Sequence, residues 1–219
     1  MIRTFVQTSR GCPQGCTFCA EPLMNWLKLR YRPVEEVMRE VESCGSRTIT
    51  INDADFFATA ERPKEIMREL KGRGIRCQAG VTSKPAQDDR MLELAAESGC
   101  TWLSIGSESI SRDTLESVHK HVDRPETFAA LVEKVHSHGI MACGLFMFGF
   151  DGDDPSVFQQ TARFTVEAEL GACGCSVLTP YPVTLTWYEM KKAERIVSFD
   201  GGKHDQAQSG LSAGADVRW

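Results

Sequence analysis

The sequence predicts an α/β fold, a partial (β/α)6 barrel of the TIM type, on three observations. Six strand-like runs alternate with helical patterns, glycines stand at the helix-to-strand junctions, and polar residues gather just after the strands.

The strand-like runs, rich in β-branched and apolar residues, cover 4–8, 47–52, 75–81, 101–105, 140–148 and 173–178. Between them, Val34, Val37, Met38 and Val41 mark one face of an amphipathic helix, as do Phe128, Leu131, Val132 and Val135. Shorter patterns surround Ile66, Met67 and Leu70, then Met91, Leu92 and Ala95, and a less regular one spans 155–169. Gly45, Gly74, Gly99, Gly139 and Gly171 each follow a helical pattern and precede a strand, where a left-handed residue can close the helix. Right-handed crossovers wind such a series into a parallel sheet, closed as a partial barrel or open and doubly wound; the barrel is the first choice.

In a parallel barrel the residues following each strand form the mouth where chemistry is done. Here they are Asp53 and Asp55, Thr82 and Ser83, the stretch Gly106-Ser107-Glu108-Ser109, the stretch Gly149-Phe150-Asp151, and Thr179-Pro180-Tyr181-Pro182. After the first strand come Cys12, Cys16 and Cys19.

Composition narrows the function. With 219 residues the chain has room for one domain with a substantial core. Its 25 basic and 30 acidic residues give a net charge of −5 without a cationic stripe, which argues against nucleic acid as partner. The longest strongly apolar stretch, 139–150, is far short of a membrane span of about 20 residues, and the N-terminus has no signal-peptide pattern. A cytoplasmic protein is expected. Nine cysteines in such a chain point to metal ligands rather than disulfides. Cys44, Cys77, Cys100, Cys143, Cys173 and Cys175 are scattered and read as small buried hydrophobes.

Cys12, Cys16 and Cys19 differ, because they form a compact Cys-x3-Cys-x2-Cys group with Gly11, Pro13 and Gly15 to let the loop wrap. Three ligands without a near fourth suit a [4Fe–4S] cubane with one open iron. Zinc is the rival, but zinc sites pair two such groups and close tetrahedrally. His119, His121, His136 and His138 stand far along the chain as i, i+2 pairs that do not share a helix face, and they read as exposed structural residues.

The motif, with Phe18 before the third cysteine, resembles the signature of the radical S-adenosylmethionine (SAM) superfamily. The resemblance covers about 5–200 and is nearest to the cobalamin-associated branch, on Ser9-Arg10-Gly11-Cys12-Pro13, Arg30-Tyr31-Arg32, Asn52-Asp53-Ala54-Asp55-Phe56, Gly106-Ser107-Glu108-Ser109, Phe148-Gly149-Phe150-Asp151 and Pro180-Tyr181-Pro182. It implies that the open iron chelates SAM and that one-electron reduction yields methionine and a 5′-deoxyadenosyl radical, which acts on a small-molecule substrate. It further implies a reductant such as flavodoxin or ferredoxin. By the same likeness Phe18 lies beside adenine, the turn from Asp53 to Asp55 holds the methionine amino group, Ser83 and Glu108 reach the ribose or carboxylate, and Gly149 lines the adenine site.

The likeness has gaps. The branch commonly carries a cobalamin-binding domain ahead of its barrel, whereas only eleven residues precede Cys12 here, and no Asp-x-His-x-x-Gly run is present. Cobalamin is therefore expected only through a separate chain. Val183 and Leu185 stand where the branch tends to place glycine and proline in a turn, and valine disfavours positive φ. The domain is expected to span 1–200, with 201–219 an irregular or disordered tail. The competing reading is a non-catalytic iron–sulfur protein, either an electron carrier or a truncated remnant of a cobalamin-dependent radical SAM methyltransferase.

Overall fold

The structure, a computed structural model, describes residues 4–25, 27–83, 86, 88–121, 125–198 and 216–217. Strand β1 (Thr4–Val6) leads into β2 (Ser9–Arg10); after α1 (Glu21–Asn25) the chain returns as β3 (Arg30–Tyr31), antiparallel to β2. Helices and strands then alternate as α2 (Val34–Ser43), β4 (Thr48–Ile51), α3 (Glu61–Leu70), β5 (Arg76–Val81), α4 (Asp89–Glu97) and β6 (Cys100–Glu108). They continue as α5 (Arg112–Ser117), α6 (Pro125–Ser137), β7 (Met141–Phe148), α7 (Ser156–Glu167), β8 (Ala172–Val177) and α8 (Leu185–Lys192). A two-stranded antiparallel pair joins β9 (Ile196–Ser198) to β10 (Asp216–Val217).

Six strands form one all-parallel sheet in the order β1-β4-β5-β6-β7-β8. Strands adjacent along the chain are adjacent in the sheet, which is the winding of a barrel; a doubly wound sheet reverses its order at a switch point. The helical stripes expected from the sequence do the packing. Val37, Met38 and Val41, then Ile66, Met67 and Leu70, then Met91, Leu92 and Ala95, and finally Phe128, Leu131, Val132 and Val135 are all buried against the outward side chains of the sheet. Each such large apolar side chain contributes about 1.5–3 kcal/mol by leaving water.

The last βα unit departs from this pattern. In α7 only Thr161 is buried, while Phe158 and Val166 are 58% and 77% exposed. Cys173 and Cys175, expected to be buried, are exposed instead, because β8 is the edge strand and pairs only with β7. Gly45, Gly74, Gly99 and Gly139 take positive φ as expected, but Gly171 does not; Glu169 (φ 52°) is the left-handed residue there. Gly171 is constrained by space, since a Cβ would stand 2.4 Å from Cγ of Met141. Of the expected tail, Asp216–Val217 forms β10, and the remainder lies outside the described residues. Among the described residues no helix is long and apolar enough to cross a membrane.

Candidate functional site

The cysteine loop hangs from the C-terminal end of β1, bracketed by the β2–β3 pair. Gly11 must be glycine: its φ is 98°, and a Cβ would meet the carbonyl oxygen of Lys28 at 1.9 Å. Glu21 ties the loop to α1, its Oε1 accepting from Gly11 N at 3.0 Å and Asn25 Nδ2 at 2.7 Å. On the far side Thr17 N donates to Val118 O (3.1 Å), while Thr186 N donates to Thr17 O (3.1 Å) and Thr186 Oγ1 to Thr17 Oγ1 (3.0 Å). Thus α8 and the end of α5 both grip the loop between its second and third cysteines.

Cys12 and Cys16 are buried and Cys19 half-buried, all as free thiols. Burial pushes Cys12 and Cys16 up to about 11 and raises Cys19, and a charge on Cys19 would raise the other two further. Among the described residues no three His, Cys, Asp or Glu side chains stand close enough to share a single metal ion. Zinc ligands converge on one ion, whereas in a cubane each thiolate binds a different iron. The donor set, three free thiols within eight residues of a glycine-shaped loop, fits a [4Fe–4S] cluster with one iron left open.

The acidic residues at the mouth divide into two kinds. Asp53 accepts from Thr8 N (2.7 Å), Thr8 Oγ1 (2.5 Å), Ser9 N (3.0 Å) and Ser9 Oγ (2.8 Å). A carboxylate has about four acceptor sites, so all are engaged in holding the start of the cysteine loop. Asp55 is 2% exposed and accepts from Phe57 N, Thr82 N and Thr82 Oγ1, pinning the end of β4 to that of β5. Burial raises its pKa. Ser83, the next residue, is buried as well.

Glu108 is of the second kind. It sits at a register shift between β6 and β7 with φ 57°, a strained conformation for a residue with a side chain. Its Oε1 accepts from Lys120 Nζ at 3.1 Å, with the two side chains 15% and 7% exposed. Lys120 was not foreseen from the sequence. Its positive charge opposes, without overcoming, the upward push of burial on the Cys12, Cys16 and Cys19 thiols. His119 and His121 on either side are exposed, with stacked rings.

Gly149 (φ 95°) and Phe150 donate their N–H groups to Oδ2 of Asp153 at 2.8 and 3.0 Å, which fixes the turn after β7. Phe150 then packs edge-on to Phe18 with ring centroids 5.9 Å apart, and joins Val118, Leu178 and Met190 in a small second core under the loop. Between the loop and the ends of β7 and β8 opens a cleft of about 570 Å3, lined by Phe18, Cys19, Met147, Phe148, Val177 and Tyr181 among others. A smaller cavity of about 270 Å3 lies at Phe150 and Leu178 and carries Asp151, Glu189 and Arg195.

A parallel partial barrel whose first loop presents three clustered thiols beside a buried ion pair is the framework of an iron–sulfur enzyme. The family model of the Radical SAM superfamily matches residues 6–165, and the chain belongs to that superfamily, whose members typically use a [4Fe–4S] cluster and SAM. Bacteriochlorophyllide d C-12(1)-methyltransferase of Chlorobaculum tepidum is 35% identical over 207 residues, 91% of this chain and 45% of that protein. An uncharacterized methyltransferase of Pyrococcus horikoshii is 27% identical over 187 residues, 83% of this chain and 40% of that one. The chain thus spans less than half the length of these relatives. In fold it matches the radical SAM methyltransferase TsrM of Kitasatospora setae, solved with cobalamin and a [4Fe–4S] cluster, with a TM-score of 0.78 at 22% identity over 87% of this chain and 37% of that one. The cobalamin-dependent radical enzyme OxsB matches with a TM-score of 0.69 at 16% identity, over 98% of this chain and 38% of that one.

Proposed function

We propose that this chain is the radical-forming core of a SAM-dependent methyltransferase of the cobalamin-associated kind. Cys12, Cys16 and Cys19 hold the cluster, and Glu108 with Lys120 receives the amino-acid end of SAM. The observation that carries the reading is the buried Lys120–Glu108 pair at the end of β6, whose Lys120 charge acts on all three thiols. A zwitterionic ligand needs one group of each sign, and this pair supplies both in a buried setting where each contact is strengthened. When bound and reduced, the cluster supplies the electron that splits the sulfonium.

The chain's own residues orient and shield. Asp53 fixes the approach to the loop through Thr8 and Ser9. Phe18, braced by Phe150, offers an aromatic face for adenine, and the turn at Gly149 offers backbone beside it. Asp55, with Thr82, sets the adjoining strand ends. Ser83 remains a candidate for the ribose. Cobalamin, which the TsrM and OxsB structures contain, would come from another segment or chain, and flavodoxin or ferredoxin would provide electrons. A bare electron carrier has no use for a buried ion pair beside its open iron, so the non-catalytic reading is not favoured.

The test is anaerobic reconstitution, reduction, and assay of SAM turnover with and without added hydroxocobalamin. Formation of methionine with 5′-deoxyadenosine, or of methylcobalamin, is the expected result. A stable cluster with neither product returns the chain to electron transfer.

A further inference from the structure

We infer that the face built by Arg10, Lys28 and Arg30 beside the cysteine loop docks an acidic protein that donates single electrons. The inference rests on the functional reading above and adds the surface through which the electron arrives.

Charge is the first argument. The segment 7–32, which carries all three cysteines of the loop, holds Arg10, Lys28, Arg30 and Arg32 against a single acid, Glu21, whereas the whole chain has a net charge of −5. Glu21 is turned onto the loop, its Oε1 accepting from Gly11 N and Asn25 Nδ2, and Arg32 is paired with Glu40. Arg10, Lys28 and Arg30 are exposed, and among the described residues none of the three has an acidic partner. Arg62, Lys71, Arg73, Arg90, Lys134 and Arg195, by contrast, each reach a carboxylate. The cationic charge of this protein is left open where the cysteines are.

Geometry is the second. Arg10 and Arg30 stand directly opposite each other in the antiparallel pair of β2 and β3. Like charges facing across two strands repel and weaken the pairing. Each guanidinium is held by a neutral amide: Arg10 Nε donates to Gln7 Oε1 at 2.8 Å, and Arg30 Nη2 donates to Asn25 Oδ1. An amide oxygen aims a guanidinium without neutralising it, so the two cations are oriented and uncompensated, and an anionic partner would relieve their repulsion. Asn25 is the last residue of α1, a helix with no buried residue, and Leu23, Met24 and Leu27 are exposed there. Cations beside a small apolar patch suit the small, transient interfaces of electron transfer, which charge complementarity steers.

Position is the third. Arg10 lies two residues before Cys12, and Lys28 O is the atom that a Cβ on Gly11 would strike. A donor on this face rests against the strand pair that brackets the cysteine loop. An electron needs no open channel, so the donor need not enter the cleft at β7 and β8. In the step itself the donor's reduced cofactor loses one electron and the cluster gains it, with no bond formed or broken.

The experiment titrates the anaerobically reconstituted chain with oxidised flavodoxin, an acidic electron carrier, by calorimetry at low and high salt. The bleaching of the cluster absorbance by reduced flavodoxin is then timed against bleaching by reduced methyl viologen, a small cationic donor. Arg30→Glu and, separately, Lys28→Glu should each weaken flavodoxin binding and slow its reduction of the cluster by about tenfold at low salt, with a smaller loss at high salt. The methyl viologen rate should not fall. Arg30→Glu also turns the repelling pair with Arg10 into an attracting one, so the thermal midpoint should hold or rise while affinity falls. Equal flavodoxin binding by the parent and both variants overturns the inference, as does a loss that only follows loss of iron or of thermal midpoint. A short RNA oligomer bound more tightly than flavodoxin, and released by the same substitutions, overturns it in favour of nucleic acid. SAM cleavage driven by methyl viologen is measured on the same preparation. Cleavage with flavodoxin affinity unmoved by the substitutions removes the docking face and leaves the radical reading; weakened affinity without cleavage by either donor does the reverse.

Discussion

Lys120 Nζ stands 3.1 Å from Glu108 Oε1, joining the strained end of β6 to the loop after α5 through side chains that are 7% and 15% exposed. Glu108 holds positive φ to present its carboxylate there. The pair supports the fold and, in the proposed function, the ligand, so its two roles have to be separated by experiment.

Glu108→Gln removes one carboxylate partner of the buried Lys120 ammonium. Losing a charge-assisted hydrogen bond of this kind costs about 1.5–3 kcal/mol. The thermal midpoint of the SAM-free chain should therefore fall, and SAM, whose carboxylate can face Lys120, should restore part of the loss. Thermal melts with and without SAM check this; an unchanged midpoint would show that the pair contributes nothing to stability.

Asp53→Ala removes the acceptor of four hydrogen bonds from Thr8 and Ser9. Hydrogen bonds to a charged group are worth about 1.5–3 kcal/mol each, but they share one anchor and do not add. A destabilisation of about 3 kcal/mol is expected, together with poor retention of iron, because the start of the cysteine loop loses its anchor. Iron content after desalting, compared with the Asp53→Asn variant, reads the outcome. Full iron retention in the Ala variant would detach Asp53 from the loop.

Val183 adopts φ 70°, directly before the Thr184 cap of α8. Left-handed backbone costs an L-residue about 1–2 kcal/mol, and a β-branched side chain is poorly suited to it. Val183→Gly should stabilise the chain by about 1 kcal/mol after the added freedom of the unfolded glycine is subtracted, which is about 2–4 °C in midpoint. A lower midpoint would mean that the exposed valine side chain makes up for its backbone.

The winding of the barrel was legible because each strand carries its own apolar run and each helix its own stripe, both local patterns. The thiol trio was legible for the same reason, since its ligands lie within eight residues. Lys120 was not, because only the fold brings it against Glu108, twelve residues earlier, and against a loop a hundred residues away. Asp53 and Asp55 were visible as acids at a strand end. Their partners, Thr8 and Ser9 just after β1 and Thr82 just after β5, are distant in sequence, so their engagement in holding the mouth together could not be read from spacing. The β2–β3 pair has two residues per strand, too few to show a period. The exposure of Cys173 and Cys175 follows from the edge position of β8, a property of the whole sheet.

Asp55 gives the pH dependence. Burial raises its pKa above the ordinary 3.8 despite the bonds from Thr82 and Phe57. Below that ordinary value the carboxyl is protonated both folded and unfolded, and stability is unaffected. As pH rises, the unfolded carboxyl ionises first, and the folded chain loses stability until its own raised pKa is passed, at about 1.4 kcal/mol per unit of displacement. Asp55→Asn cannot ionise. Its Oδ1 can keep the bonds from Phe57 N and Thr82 N, and its amide can donate to Thr82 Oγ1 once that hydroxyl turns. Melting the cluster-free chain from about pH 4 to about pH 8 should show the Asn variant gaining on the parent as pH rises, by roughly 2–4 °C for each kcal/mol. Parallel profiles would mean that Asp55 is not penalised by burial, and a gain as pH falls would reverse the sign of its contribution.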